Sequence, residues 1–508
     1  MNLSHLFQRS VQQYPDRPAL ALGTDASLSY LQLNQRVRAL AYWLRHTLGL
    51  QAGDRVTLVM KNCPEYFELM LASWHAGLCV VPVNSKLHPN EIDYMLRDSG
   101  SRVCLSHGAL FQSLQPVASG IDGLHLIDVV SASYRKALHS PPLEIACDDD
   151  RELAWLFYTS GTTGRPKGVS LSHANLVSAA MHFYSDVQSV ASDDVLVHVA
   201  PMSHGGGIYS IPYFIKGALQ VVPKSGGLDE QELFSLFNHY SKVSLFVSPT
   251  IVQRLVHHAQ QHPVSWPGLR VMLVGGAPFY VEDIKIAVQC FGPRIVQMYG
   301  QGESPMTISA LPADQLAQAV TNEDTEMLAS VGFVQTAIQV TIVDADNQPV
   351  KAGTPGDLIV RGPTVMSGYW NNPEATRQTV VDGALRTGDI GLLDERGLLH
   401  LKDRSKDVII SGGTNIYPRE VEEVLLTHES VEEVSVVGVS DPEWGEAVVA
   451  FVVCRAGTVA TETELDALCI QAIARFKRPK RYIFIQELPK NGTGKVLKRE
   501  LKKSIEAG

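Results

Sequence analysis

The densest group of residues able to do chemistry is Tyr158-Thr159-Ser160-Gly161-Thr162-Thr163-Gly164-Arg165-Pro166-Lys167-Gly168. Between Thr159 and Gly168 it holds four aliphatic hydroxyls, three glycines and a lysine, which together suit a phosphate cradle. Glycines let backbone N–H groups approach an anion, hydroxyls donate hydrogen bonds, and the lysine supplies a point charge. The pattern GxxxxGK[ST] is not met, because Pro166 precedes Lys167 and Gly168 follows it. A second lysine, Lys495, stands in Asn491-Gly492-Thr493-Gly494-Lys495, between small flexible residues and a basic terminal segment. By composition alone it is one surface lysine among several at that end, with Lys477, Lys480, Lys490, Lys498, Lys502 and Lys503 close by in sequence.

The elements that must position these residues read as α/β. An apolar strand over 154–158 precedes the hydroxyl-rich loop and another over 169–171 follows it. Short β-rich runs at 195–199, 219–222, 243–247, 271–274 and 295–298 alternate with helical spacing at 228–240 and 249–261. Alternation of this kind predicts parallel sheets covered by helices. The last hundred residues differ. Past a charged stretch, Lys402-Asp403-Arg404-Ser405-Lys406-Asp407, the pattern predicts a helix over 418–427, strands over 434–439 and 447–453, a helix near 462–475, a strand over 482–485 and a basic terminal helix. A unit of about 100 residues can fold as a small α+β domain. The expected organisation is therefore a large body of layered sheets and helices over 1–403 and a small mobile domain over 404–508, hinged near 403–407.

Composition excludes several classes. The 508 residues carry 43 Lys and Arg against 53 Asp and Glu, a net charge of −10, which argues against nucleic acid as the main partner. No run of about 18 uncharged apolar residues is present, and the start lacks a basic segment leading into an apolar one. Neither a membrane span nor a secretory signal is expected. The seven cysteines are odd in number, widely spaced and without a CxxC pair, so they read as reduced, packed thiols of a cytoplasmic protein.

The hydroxyl-rich loop resembles the signature [YF]-T-S-G-[ST]-T-G-x-P-K-G of the adenylate-forming superfamily: acyl-CoA synthetases, non-ribosomal peptide adenylation domains and beetle luciferases. Further motifs follow in that family's order. Tyr299-Gly300-Gln301-Gly302-Glu303 is similar to its YGxTE element, and Gly356-Asp357-Leu358 with Gly368-Tyr369-Trp370 to its GEL…GYW segment. Arg386-Thr387-Gly388-Asp389 is similar to TGD, Asp403 to Asp407 to the GRxKD hinge, and Asn491 to Lys495 to the terminal GK element. The resemblance covers roughly residues 10 to 503.

The resemblance implies two half-reactions with ATP, Mg²⁺ and CoA. A carboxylic acid attacks the α-phosphate of ATP to give acyl-AMP and pyrophosphate, and the CoA thiol then displaces AMP. It assigns Lys495 to the growing charge on the α-phosphate, where a cation stabilises the transition state more than the ground state. Thr159, Ser160, Gly161, Thr162, Thr163, Gly164 and Lys167 would hold the phosphates. Asp389 would hold the ribose hydroxyls, Arg404 the same nucleotide, and Gly276, Ala277, Tyr299 and Gly300 the base and sugar. Glu303, with Thr159, would take the Mg²⁺, as a hard oxygen ligand should. Lys406 matches the hinge residue, and Gly412 with Gly413 the loop lining the pantetheine tunnel once the small domain turns. Thirteen residues follow Lys495, so no carrier domain is expected. A stand-alone CoA ligase is favoured over loading of a carrier protein in trans or a luciferase-like oxidation, with a homodimer left open.

Two positions depart from the family pattern. Gly302 stands where Thr or Ser is usual, removing one hydroxyl whose hydrogen bond is worth about 1 kcal/mol. Ser203 replaces the aromatic of a P-[LM]-[FY]-H element in Pro201-Met202-Ser203-His204. By resemblance His204, Gly205, Ile208 and Gly300 border the acyl pocket, with the missing side chains of Gly205 to Gly207 leaving room for the acid. The apolar residues beside them suit a fatty or aromatic acid, and the choice between alkyl and aryl stays open.

Overall fold

The computed structural model describes residues 1–146, 149–159, 165–411, 414–442, 444–491 and 494–506. The protein is α/β, with a large N-terminal body and a small C-terminal domain. In the body, a nine-stranded sheet runs in the order Phe333–Val334, Ser304–Leu311, Ile295–Gln301, Leu269–Val274, Val243–Val247, Val195–Val197, Leu219–Val222, Pro18–Leu22, Leu28–Ser29. Its inner six strands are parallel and its two rims antiparallel. Val243–Val247 is buried at every position, as a strand covered on both faces must be, which is why it reads as an apolar run interrupted only by Ser244.

A seven-stranded sheet holds Cys79–Val83, Arg55–Val59, Val103–Ser106 and His125–Asp128 in parallel, with Leu153–Thr159, Lys167–Ser172 and Gly368–Tyr369 continuing at one side. The last two join by antiparallel pairing, and in the hairpin Thr159 faces Lys167 across the register. One apolar cluster takes Leu20 and Val222 from the first sheet, Val80 and Trp155 from the second, and Phe67 and Phe214 from the helices Pro64–His75 and Gly205–Ile215 between them. The two sheets are thus a single sandwich around buried helices.

A third, antiparallel sheet contains Gln339–Val343, Gly356–Arg361, Ala384–Leu393 and Leu399–Arg404. Sequence reasoning expected parallel sheets and named no separate antiparallel layer. The small domain packs Pro418–Leu425 and Glu462–Ala472 on the strands Val431–Asp441 and Gly445–Cys454, around a core of its own that includes Val421, Leu425, Val436 and Ala450. Among the described residues no helix is long and apolar enough to cross a membrane. The described cysteines are all free.

Candidate active site

Along Ala384–Leu393 burial alternates from Leu385 inward, Arg386 outward, Thr387 inward and Gly388 outward to Asp389 inward. The period of two that makes a strand therefore turns the Asp389 carboxylate into the protein, where it is 5% exposed. Its antiparallel register partner is Arg404, and the guanidinium Nε lies 2.7 Å from Oδ1. Oδ2 accepts hydrogen bonds from the Tyr299 hydroxyl and from Gln301 Nε2. A carboxylate so deeply placed is tolerable because it is paired and fully bonded. Burial, and then the Asp389 charge, push the Tyr299 phenol far above its ordinary pKa, so it remains a donor.

Gln301 was not among the residues singled out from sequence. It lies two positions after Tyr299 on the strand Ile295–Gln301, past a shift in the register with Ser304–Leu311, and Nε2 also donates to the Thr387 carbonyl at 3.0 Å. Gly300 sits between them. Gly276 and Ala277 form the turn after Leu269–Val274, tied to the neighbouring strand by Gly275 N–H to the Val247 carbonyl at 3.2 Å. Tyr299, Gln301, Gly276 and Ala277 lie at the carboxyl ends of the parallel strands Ile295–Gln301 and Leu269–Val274, where open α/β sheets hold their ligands.

Lys495 reaches the same place from the small domain. Asn491 Oδ1 accepts from the Lys495 N–H at 2.9 Å, and the Asn491 N–H donates back to the Lys495 carbonyl at 2.9 Å, closing the turn that presents it. A Cβ on Gly494 would stand 3.4 Å from Thr250 Oγ1 and 3.9 Å from Ser248 Oγ, so the turn rests on the start of helix Pro249–Gln261. The Lys495 side chain stays open to solvent, yet the protein crowding it, and next the Arg404 charge, hold its pKa below the ordinary lysine value. Asp389, Lys406 and Asp407 act on it too. Lys406 lies in the turn after Leu399–Arg404.

On the other side, Lys167 Nζ sits 4.9 Å above the Tyr369 ring, and the Tyr369 hydroxyl donates to Glu303 Oε1 at 2.7 Å. Tyr369 thereby joins two residues chosen from sequence, a role its place in the GYW string did not announce. No group of three His, Cys, Asp or Glu among the described residues could hold a metal. A single carboxylate with the nearby Thr159 hydroxyl fits Mg²⁺, which keeps waters and binds largely through substrate phosphates. Ser160, Gly161, Thr162, Thr163 and Gly164 lie outside the described residues, as do Gly412 and Gly413.

Gly302 is a place of close approach. A Cβ there would meet Thr159 Cγ2 at 2.7 Å and the Phe157 ring at 2.8 and 3.0 Å. The missing hydroxyl is thus accompanied by missing space. Phe157 in turn lies edge-on to His204 at 5.2 Å, and His204 Nδ1 is 3.0 Å from Ser203 Oγ. Burial lowers the His204 pKa to about 4, leaving it neutral at physiological pH.

The acyl side requires a correction. At Gly206 a Cβ would lie 3.0 Å from the Pro201 carbonyl oxygen, and at Gly207 only 2.2 Å from that of Met202. Their missing side chains let the turn 200–202 pack on the helix; they do not leave room for the acid. A separate apolar cavity of about 10 Å³ lies farther along, lined by Ala179, Ala180, Phe183, Ile208, Tyr209 and Thr307, among others. That free volume is about one water's worth. Of the residues expected at the acyl pocket, Ile208 lines this cavity, whereas His204, Gly205 and Gly300 do not.

A two-sheet sandwich followed by a small C-terminal domain matches what the family comparisons find. The AMP-binding enzyme model matches residues 7–370 and the AMP-binding enzyme C-terminal domain model residues 420–495. The chain belongs to this family, the adenylate-forming acyl-CoA ligases, and is an AMP-forming acid–thiol ligase. It is 34% identical over 498 residues to a feruloyl-CoA synthase of Amycolatopsis sp, covering 97% of both chains. To a 2-succinylbenzoate–CoA ligase of Bacillus cereus it is 33% identical, covering 97% of this chain and 96% of that one. Its fold superposes on ATP-bound MatB from Rhodopseudomonas palustris with a TM-score of 0.89 at 28% identity, covering 100% of this chain and 99% of that one.

Proposed function

We propose that this ligase activates an aromatic carboxylic acid, with Lys495 as the catalytic cation of the first step. The observation carrying the reading is the docking of the Gly494–Lys495 turn against Thr250 while Lys495 shares its electrostatic neighbourhood with Asp389 and Arg404. In step one a carboxylate oxygen attacks the α-phosphorus, the bond to the bridging oxygen breaks, and pyrophosphate leaves with the electron pair. Charge grows on the α-phosphoryl oxygens, and a partly desolvated ammonium aimed there lowers that barrier. Asp389, already held by Tyr299, Gln301 and Arg404, is placed to accept from ribose hydroxyls. Lys167 and Thr159 flank the loop for the β- and γ-phosphates. Glu303 and Thr159 would hold Mg²⁺, which neutralises phosphate charge when bound. In step two the small domain turns about Lys406, near 403–407, which withdraws Lys495 and brings Gly412 and Gly413 to the crevice for the CoA thiol.

An aromatic acid is favoured by the cavity wall. Phe183 and Tyr209 have ring centroids 5.7 Å apart, and Tyr209 stacks on Phe246 at 4.8 Å. A planar acid extends that run of rings, and aromatic pairs gain about 0.5–1.5 kcal/mol beyond area burial. The names of the feruloyl and 2-succinylbenzoate ligases point the same way. Reduced thiols and the acidic balance favour a cytoplasmic setting. The test is AMP and pyrophosphate release with benzoic, cinnamic and straight-chain acids, each with and without CoA. Cinnamic- or benzoic-type acids should give the highest kcat/KM. A clear preference for straight-chain acids, or ADP as product, would overturn the assignment.

A further inference from the structure

Three consecutive residues of the body, 279 to 281, meet one helix of the small domain, Pro418–Leu425. The Phe279 carbonyl accepts from Arg419 at 3.5 Å, the Tyr280 hydroxyl donates to Glu422 Oε2 at 2.9 Å, and the Val281 N–H donates to Glu423 Oε2 at 3.3 Å. Glu422 is 3% exposed, and its Oε1 accepts from the Val436 N–H at 2.8 Å and from Lys498 Nζ at 3.1 Å. Lys498 also lies 3.6 Å from Asp403, the residue preceding Arg404 at the hinge. A half-buried chain, Tyr280–Glu422–Lys498–Asp403, therefore joins the turn that follows Ala277, the helix Lys498–Glu506 that begins three residues after Lys495, and the hinge.

Tyr280 is an odd residue for its local position. It occupies the N-cap of helix Val281–Phe291, where Ser, Thr, Asp or Asn would satisfy the first amides, and it makes no side-chain cap bond. A broken local rule with a gain elsewhere marks a functional position. Here the gain is a bond that crosses from the body to the small domain, so a rotation between the two has to break it.

We propose that Tyr280 is a positioning residue for step one: its hydroxyl, by holding Glu422, keeps the small domain in the orientation that presents Lys495 to the α-phosphate. The proposal rests on the two-step reading above. Burial and the neighbouring Glu422 keep the phenol protonated, so it donates throughout the working pH range. Rotation for step two must break this bond and leave Glu422 to its partners within the small domain.

Tyr280→Phe in the full chain tests it. Step one is followed by ATP–pyrophosphate exchange with the best acid from the CoA-dependent screen, and step two by AMP release from its synthetic acyl-AMP plus CoA. Step one should fall about tenfold, the size expected for losing a bond to a buried carboxylate. Step two should hold or rise. Amide exchange should quicken at 280–285 and 418–425 and stay unchanged in the sheets of the body. Equal loss in both half-reactions, no loss in step one, or unaltered exchange at those segments overturns the proposal. If no acid turns over, the ligase reading fails on its own account, and exchange at 418–425 still decides whether Tyr280 holds the domain.

Discussion

Gly302→Thr restores the hydroxyl usual in the YGxTE element, and it should harm the enzyme. The new Cβ would stand 2.7 Å from Thr159 Cγ2 and 2.8 Å from a Phe157 ring carbon, where ordinary carbon contacts are about 3.5–4.0 Å. Neither neighbour is the free end of a long chain: Thr159 begins the phosphate loop and Phe157 packs on His204. Overpacking of this kind costs about 1–3 kcal/mol, and a regained hydroxyl bond returns about 1 kcal/mol. The net loss, centred on about 1 kcal/mol and reaching about 2 kcal/mol, corresponds to about a fivefold fall in kcat/KM for ATP and at most about thirtyfold. ATP–pyrophosphate exchange with the best acid, together with thermal unfolding, measures both parts. Phe157→Leu should be mildly harmful alone and should rescue Gly302→Thr, the pair showing a coupling energy in a double-mutant cycle. If Gly302→Thr alone raises kcat/KM without lowering Tm, the close-contact reasoning is wrong.

Lys495→Ala should abolish pyrophosphate exchange while synthetic acyl-AMP plus CoA still yields thioester; equal loss in both steps of a folded variant would refute the rotating-lysine assignment. Because its pKa is held below the ordinary lysine value, kcat/KM for ATP should decline on the alkaline side before about pH 10.4, a limb absent from step two. His198, buried against Gln220 Oε1 at 2.9 Å, is depressed to about 4 by burial, so the stability it contributes is full above its unfolded value near 6.5 and is lost as pH falls towards 4. His198→Gln should therefore flatten the acid limb of urea unfolding by about 1.4 kcal/mol per pH unit in that window, and an unchanged slope would count against a neutral buried imidazole. Ala180→Leu fills the cavity beside Tyr209 and should raise KM for the aromatic acid while leaving KM for ATP alone; a parallel rise in both would place the acid elsewhere.

Much of the candidate site was legible because it lies in contiguous strings whose residue types suggest a chemistry: hydroxyls and glycines suited to phosphate at 159–168, a lysine among small residues at 495, a carboxylate after Gly388. Helix Pro249–Gln261 and strand Val243–Val247 were legible for a related reason, since apolar spacing within one element reports which sides of it are covered. What sequence could not supply is the match between segments far apart in the chain. Gln301 meets Asp389 across 88 positions, Tyr280 meets Glu422 across 142, and the volume missing at Gly302 is filled by Phe157 and Thr159. The triple glycine at 205–207 looked like room for a substrate until the carbonyls of Pro201 and Met202 were found against two of its members. Local strings carry the identity of chemical groups, whereas close packing, which depends on every neighbour at once, decides what stands beside them and how much space remains.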